Sequence, residues 1–227
     1  MRILITRPLE DAPALATRLR DLGHDSVLAP LLRFEMLDTV PPDFSGVQAI
    51  LASSANGIRA LAHRSPRRDL PVFAVGPQTT QEAQNAGFAD VRNADGDARS
   101  LAQCAARWAQ PQSGALLHVC GDEAPGTLGD ALRGHGFTVR RVALYRMAPA
   151  TQLPADVRKD FSTLDAVVFF SPRTARIFAD VTQNLPLSHL VGLCISPATA
   201  VVAESLNLAE IRVATRPNQD AMLALVV

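Results

Sequence analysis

The sequence predicts an α/β fold: two similar α/β domains with mainly parallel sheets, joined by a two-stranded connection. Three observations predict it. Short β-branched runs alternate with Ala/Leu-rich stretches of helical period, the pattern of strands that return through helices. The same order of elements occurs twice along the chain. Two extended runs, each followed by a proline-bearing break, stand at matching places in the two copies.

Taken in order, strands are expected at 2–6, 26–30, 47–52, 72–75, 90–92, 115–119, 138–142, 165–170, 191–195 and 210–213, with helices between most of them. In residues 9–22, Leu15, Leu19 and Leu22 share one helical face, and Gly23 stands where a left-handed helix stop would be. The runs "LLRFEM" and "LYRMA" read as strands that cross between domains.

The repeat covers whole units. "RILITR" matches "ALLHVC", and "LRDLGH" matches "LRGHGF", both at an offset of 113 residues. Ser54 matches Ser171 at an offset of 117, and "VGPQT" matches "ISPAT" at 120. "GFADVR" and "NLAEIR" keep that last offset. One α/β unit is therefore duplicated, at a period far longer than a solenoid's. Two divisions are open. Sequential halves would part near "WAQPQSG", residues 108–114. The preferred division follows the breaks "LDTVPPD" and "MAPATQLP": a discontinuous domain of residues 1–35 plus 148–227, and an inserted domain of residues 36–147.

Composition excludes several classes. With 22 acidic and 22 basic residues and a net charge of zero, the chain has no electrostatic reason to bind nucleic acid or an anionic membrane. No apolar run approaches the roughly 20 residues that a membrane span needs. The N-terminus reads as a strand, without a signal-peptide pattern. Cys104, Cys120 and Cys194 lie far apart, in no metal spacing, and fit a reducing compartment. A cytoplasmic monomer is expected.

The chemistry-bearing pattern lies at the helix starts. Ser171-Pro172 and Ser196-Pro197 combine a capping serine with proline in the first turn. Gly76-Pro77 is the same entry with glycine, and Ser53-Ser54 the version without proline. In a parallel sheet all these turns lie at the carboxyl ends of strands, where open α/β sheets bind ligands. Free N–H groups and the positive dipole end suit an anion there. Each corner alone is a cap before it is a site. The duplicated set suggests a cleft for a ligand bearing several carboxylates, and no reaction.

Catalytic motifs are absent: there is no G-x-S-x-G, GxGxxG, Walker loop or H-E-x-x-H. The histidines His24, His63, His118, His135 and His189 have no metal spacing, and His118, within a strand, reads as structural. "HRSPRRD" reads as a solvated turn and Trp108 as part of a packed helix face. Tyr145, the single tyrosine, stands in a crossing run. A phenol there could donate a proton to a leaving group, or simply pack its ring with a wet tip.

Together, "ITRP", "SSANGI", "AVGPQT", "VALYRM", "FFSPRTARIF", "CISPATA" and "RPNQDAMLALV" resemble the uroporphyrinogen-III synthase family, in order, from residue 2 to about residue 225. The resemblance implies two α/β domains, the first made of both chain ends. It implies a linear tetrapyrrole substrate, hydroxymethylbilane, closed with loss of water and inversion of ring D through a spiro intermediate, without metal or cofactor. It implies that Tyr145 assists departure of the hydroxyl. It also implies that Arg7, Ser53, Ser54, Asn56, Thr79, Ser171, Ser196 and Thr199 hold substrate. Two positions depart from the family pattern: Cys120 and Thr127 stand where arginines are common. The alternative is a two-domain binding protein for a small polyanionic ligand, without catalysis; a scaffold descended from the enzyme is the third reading.

Overall fold

The computed structural model of the protein describes residues 1–226. In chain order the elements are β1 (Arg2–Ile5), α1 (Ala12–Asp21), β2 (Asp25–Leu28), β3 (Leu32–Met36), β4 (Val47–Ala52), α2 (Ala55–Arg64), β5 (Val72–Ala74), α3 (Pro77–Asn85), β6 (Val91–Asn93) and α4 (Ala98–Trp108). There follow β7 (Ala115–Gly121), α5 (Thr127–Gly134), β8 (Val139–Pro149), α6 (Ala155–Lys159), β9 (Ala166–Phe169), α7 (Pro172–Val181), β10 (Val191–Cys194), α8 (Pro197–Ala203), β11 (Glu210–Val213) and α9 (Gln219–Leu223).

The chain divides into two compact units. One comprises Met1–Arg33 with Ala148–Val227; the other is Phe34–Met147. The first holds a five-stranded sheet in the order β11-β10-β9-β1-β2, the second a six-stranded sheet in the order β3-β8-β7-β4-β5-β6. The pairs β1–β2, β1–β9, β9–β10 and β10–β11 are parallel, as are β4–β5, β4–β7, β5–β6 and β7–β8. This is the predicted α/β fold. The repeat explains the matching orders: β1 and β2 correspond to β7 and β8, and β9, β10 and β11 to β4, β5 and β6. The second sheet carries β3 as an additional edge strand. The chain passes between units within β3 and within β8.

Each sheet is buried on both faces, because the strand period of two sends alternate residues to opposite sides. Along β4, Ile50 and Ala52 join one apolar cluster with Leu61, Leu117 and Val119. Ala49 and Leu51 join the other with Leu101, Leu116 and Leu132. Along β1, Ile3 and Ile5 pack with Leu15 and Leu19 of α1, whereas Leu4 faces Phe169 and Phe178. The helix expected over residues 9–22 forms as α1, and Gly23 after it has φ +80°, a left-handed stop that glycine adopts without strain. Among the described residues, no helix is long and apolar enough to cross a membrane.

Candidate functional site

Ser53 and Ser54 follow directly on β4, at its carboxyl end. Being consecutive, they continue the strand's alternation and turn to opposite faces of the sheet. Ser54 caps α2: its Oγ accepts from the Gly57 N–H at 3.1 Å. The same Oγ lies 2.8 Å from the Tyr145 hydroxyl. Ser53 Oγ, on the other face, lies 2.9 Å from His118 Nε2.

Tyr145 owes its position to an irregularity. Cys120 pairs with Ala143, and the next residue of β7, Gly121, pairs with Tyr145, so β8 carries one extra residue at that point. A bulge of this kind re-aims the side chains beyond it. Here it places Tyr145, rather than Leu144, opposite Gly121. The ring lies so close that a Cβ on Gly121 would stand 3.1–3.4 Å from Tyr145 atoms. On its other flank the ring stacks on Phe34 of β3, with centroids 5.3 Å apart. Tyr145 is 8% exposed. Burial pushes the phenol above its ordinary pKa, while the bonds to Ser54 and to the Gly121 backbone pull it down. The group is protonated at neutral pH and able to donate.

Asn56, in the first turn of α2, accepts from Arg59 at 2.7 Å and donates to Met147 Sδ at 3.4 Å. Arg59 in turn pairs with Glu82 at 2.8 Å. Thr79 occupies the third position of α3 behind Gly76 and is buried. Of the two departures, Cys120 is buried and burial raises its thiol pKa, whereas Thr127 opens α5 in an exposed position. Arg141 of β8 occupies the loop after β7, donating to the carbonyls of Gly121, Asp122 and Ala124.

The remaining predicted residues belong to the first unit. Ser171 caps α7 by accepting from the Thr174 N–H at 3.1 Å, and Ser196 caps α8 by accepting from the Thr199 N–H at 3.3 Å. Both serine hydroxyls also meet the threonine hydroxyl three residues on, at 3.1 Å and 3.0 Å. Thr199 itself is fully buried, so its hydroxyl reaches the sheet edge only through Ser196. Arg7, after β1, lies 4.3 Å over the Phe170 ring, pairs with Asp11 at 3.5 Å and donates to Gln219 at 3.4 Å.

Within the second unit, then, Tyr145 meets Ser54 directly, Asn56 follows in the first turn of α2, and Ser53 meets His118 on the other face. Within the first, Arg7 stands on Phe170, the residue before Ser171. Three participants are not among the site residues expected from sequence: Phe34, Arg141 and His118. The sequence signal for His118 is its place two residues before Cys120, a position that departs from the family pattern. Among the described residues, no group of three His, Cys, Asp or Glu side chains could hold a metal ion.

A family model described as uroporphyrinogen-III synthase HemD matches residues 13–224. The chain belongs to the uroporphyrinogen-III synthase family. Among similar proteins is a porphyrin biosynthesis protein HemD of Ruminiclostridium josui, 28% identical over 242 residues, which cover 98% of this chain and 47% of that protein. The chain thus spans about half the length of this curated relative. Two solved synthases share the fold. The uroporphyrinogen-III synthetase of Helicobacter pylori superposes with a TM-score of 0.70 at 17% identity, over 100% of this chain and 98% of that one. A mutant uroporphyrinogen III synthase of Thermus thermophilus gives 0.56 at 17% identity, over 100% and 97%. Uroporphyrinogen-III synthases are cofactor-independent cyclising lyases of tetrapyrrole biosynthesis.

Proposed function

We propose that this protein is a uroporphyrinogen-III synthase that closes hydroxymethylbilane with loss of water and inversion of ring D. The observation that carries the reading is the Ser54–Tyr145 pair, a protonated phenol held 2.8 Å from a capping hydroxyl at a strand's carboxyl end. In this reading the bond between the terminal carbon and its hydroxyl breaks as Tyr145 gives its proton to the departing oxygen. Water leaves, and the phenolate is held by the Ser54 hydroxyl and the Gly121 N–H. The cationic pyrrole is attacked by the substituted carbon of ring D, and the spiro intermediate rearranges to the inverted ring. The proton released when the last pyrrole regains aromaticity restores the phenol, so the net change is loss of one water.

Ser53, Ser54, Asn56 and Thr79 in one unit, and Arg7, Ser171, Ser196 and Thr199 in the other, are assigned to the substrate's acetate and propionate groups. Thr79 and Thr199 act there by fixing the first turns of α3 and α8. Four of these helix starts supply N–H donors and dipole ends in place of side-chain cations, which agrees with the neutral charge of the chain. Catalysis of this kind rests on positioning and electrostatics. We take the protein to act as a monomer in the cytoplasm, without metal or cofactor; sedimentation at assay concentration checks the first point.

The test is closure of enzymatically generated hydroxymethylbilane, followed by chromatographic separation of the oxidised isomers. Type III in excess is expected. Type I alone, the product of spontaneous closure, would remove the synthase reading. It would favour a non-catalytic binder of small polyanions, the second reading, which Cys120 and Thr127 at positions where the family commonly has arginines support.

A further inference from the structure

His118 is a buried imidazole with a visible purpose outside packing. It is 3% exposed, on the face of β7 that carries Leu116 and covers the cluster of Leu51, Leu101 and Phe137. The residue at the matching place in the first unit, at the repeat offset of 113, is Ile5, which is fully buried among apolar side chains. The fold at this position is therefore satisfied by a hydrocarbon. A histidine in its stead adds two polar nitrogens to a buried layer, which is unfavourable unless they are used. One of them is used: Nε2 lies 2.9 Å from Ser53 Oγ.

The partner position differs in the same sense. Ser53 corresponds to Phe170, and Phe170 carries the Arg7 guanidinium on its ring. The first unit thus presents a cation at this corner, and the second a half-buried hydroxyl backed by an imidazole. Burial first, and the nearby Arg141 charge second, keep that imidazole neutral, with its pKa lowered to about 4. A neutral imidazole has one donor and one acceptor nitrogen, so the bond to Ser53 has two forms. If Ser53 donates, its hydroxyl proton is consumed inward. If Nε2–H donates, the Ser53 proton is free to point outward, and a carboxylate accepts only.

We infer that His118 is a positioning residue: its Nε2–H donates to Ser53 Oγ and turns the Ser53 hydroxyl proton outward, toward a carboxylate of the substrate. This rests on the synthase reading for the carboxylate, whereas the tautomer of the pair is measured without it.

Two measurements test it. In the 15N-labelled full chain, the His118 ring is expected as the Nε2–H tautomer; an Nδ1–H tautomer overturns the inference whatever the protein turns over. In the isomer assay, His118→Ile, the residue the fold uses at the matching position, is expected to raise KM for hydroxymethylbilane about tenfold, the effect of one hydrogen bond to a charged group, with kcat within about twofold. His118→Gln, which keeps an amide N–H, is expected to recover most of that loss. Ser53→Ala should match His118→Ile, and the double variant should be no worse than either. A KM unchanged in His118→Ile, in protein whose melting shows it folded, overturns the inference, as does a fall confined to kcat. If the unaltered protein yields only isomer I, the synthase reading falls, and the tautomer alone decides the orientation of the pair.

Discussion

The Ser54 hydroxyl lies 2.8 Å from the Tyr145 hydroxyl, and the residue three places after Ser54 is glycine. At Ser171 and Ser196 the corresponding residues are Thr174 and Thr199, and their hydroxyls lie 3.1 Å and 3.0 Å from the capping oxygen. Gly57 offers only its N–H, at 3.1 Å, which leaves the Ser54 oxygen free for the phenol at 2.8 Å. The duplicated corners thus differ in their partners: a threonine hydroxyl at Ser171 and Ser196, and a phenol at Ser54.

That difference makes Tyr145→Phe the most informative substitution. The ring stays stacked on Phe34, so the fold should lose about 1 kcal/mol, the net worth of one hydrogen bond. Formation of the type III isomer should fall about a hundredfold or more, the range of general acid catalysis. Melting and the isomer assay on the same preparation check both. A type III rate within twofold of the unaltered protein would mean that the proton comes from elsewhere.

Gly121→Ala tests the placement of the ring rather than its hydroxyl. The new methyl would stand 3.1 Å from Tyr145 Cζ and 3.2 Å from Cε2, tighter than ordinary van der Waals contact. Phe34 closes the opposite flank, so the ring must shift along the sheet and the distance to Ser54 must change. About a tenfold loss in kcat is expected, since misplacing a catalytic group by about 1 Å is costly. The cost in stability should stay near 1–2 kcal/mol, at the lower end for overpacking. Steady-state kinetics and denaturant titration separate the two.

Gly57→Ala addresses the packing of α2 on β7. An added Cβ would meet the Val119 carbonyl oxygen at 2.7 Å, a backbone atom that cannot swing aside. The helix would have to lift from the strand, at about 1–3 kcal/mol. Thr174, at the matching place in the first unit, is accommodated. Alanine there should be tolerated, so Thr174→Ala is the control in the same melting series.

Much of this arrangement is legible in the sequence, for physical reasons. The strands at 47–52 and 210–213 are read without error, the first from its apolar run and the second from the strict alternation of Glu-Ile-Arg-Val. The capping serines are legible because Ser-Pro has one strong local meaning, a helix start. Thr199 is harder: its neighbour in sequence suggests the sheet edge, but the helical turn carries its side chain inward to full burial. The β8 bulge is illegible, since an inserted residue in a strand leaves no local mark in "RVALYRM". Without the bulge the phenol and Ser54 cannot be paired on paper. From sequence alone His118 reads as structural, as an imidazole in a strand usually is. The repeat already pairs it with Ile5; what the structure adds is the burial of both and the contact with Ser53.

The depressed pKa of His118 has a consequence for stability that needs no substrate. In the unfolded chain the ring titrates near 6.5, while in the folded one it stays neutral down to about 4. Between those values the unfolded state binds a proton that the folded state does not, so stability rises with pH across this window. The contribution is fully present above pH 6.5 and is lost progressively as the pH falls toward 4. At 1.36 kcal/mol per unit, the loss approaches about 3 kcal/mol at the acid end. Arg141 shares in the effect by disfavouring the imidazolium. Urea titrations at intervals from pH 7.5 to pH 4.5 should therefore show a falling midpoint. In His118→Gln, which cannot titrate, the same series should be flatter by the His118 contribution alone. Parallel curves for the two proteins would mean that the ring titrates alike folded and unfolded, and that its burial is not maintained in solution.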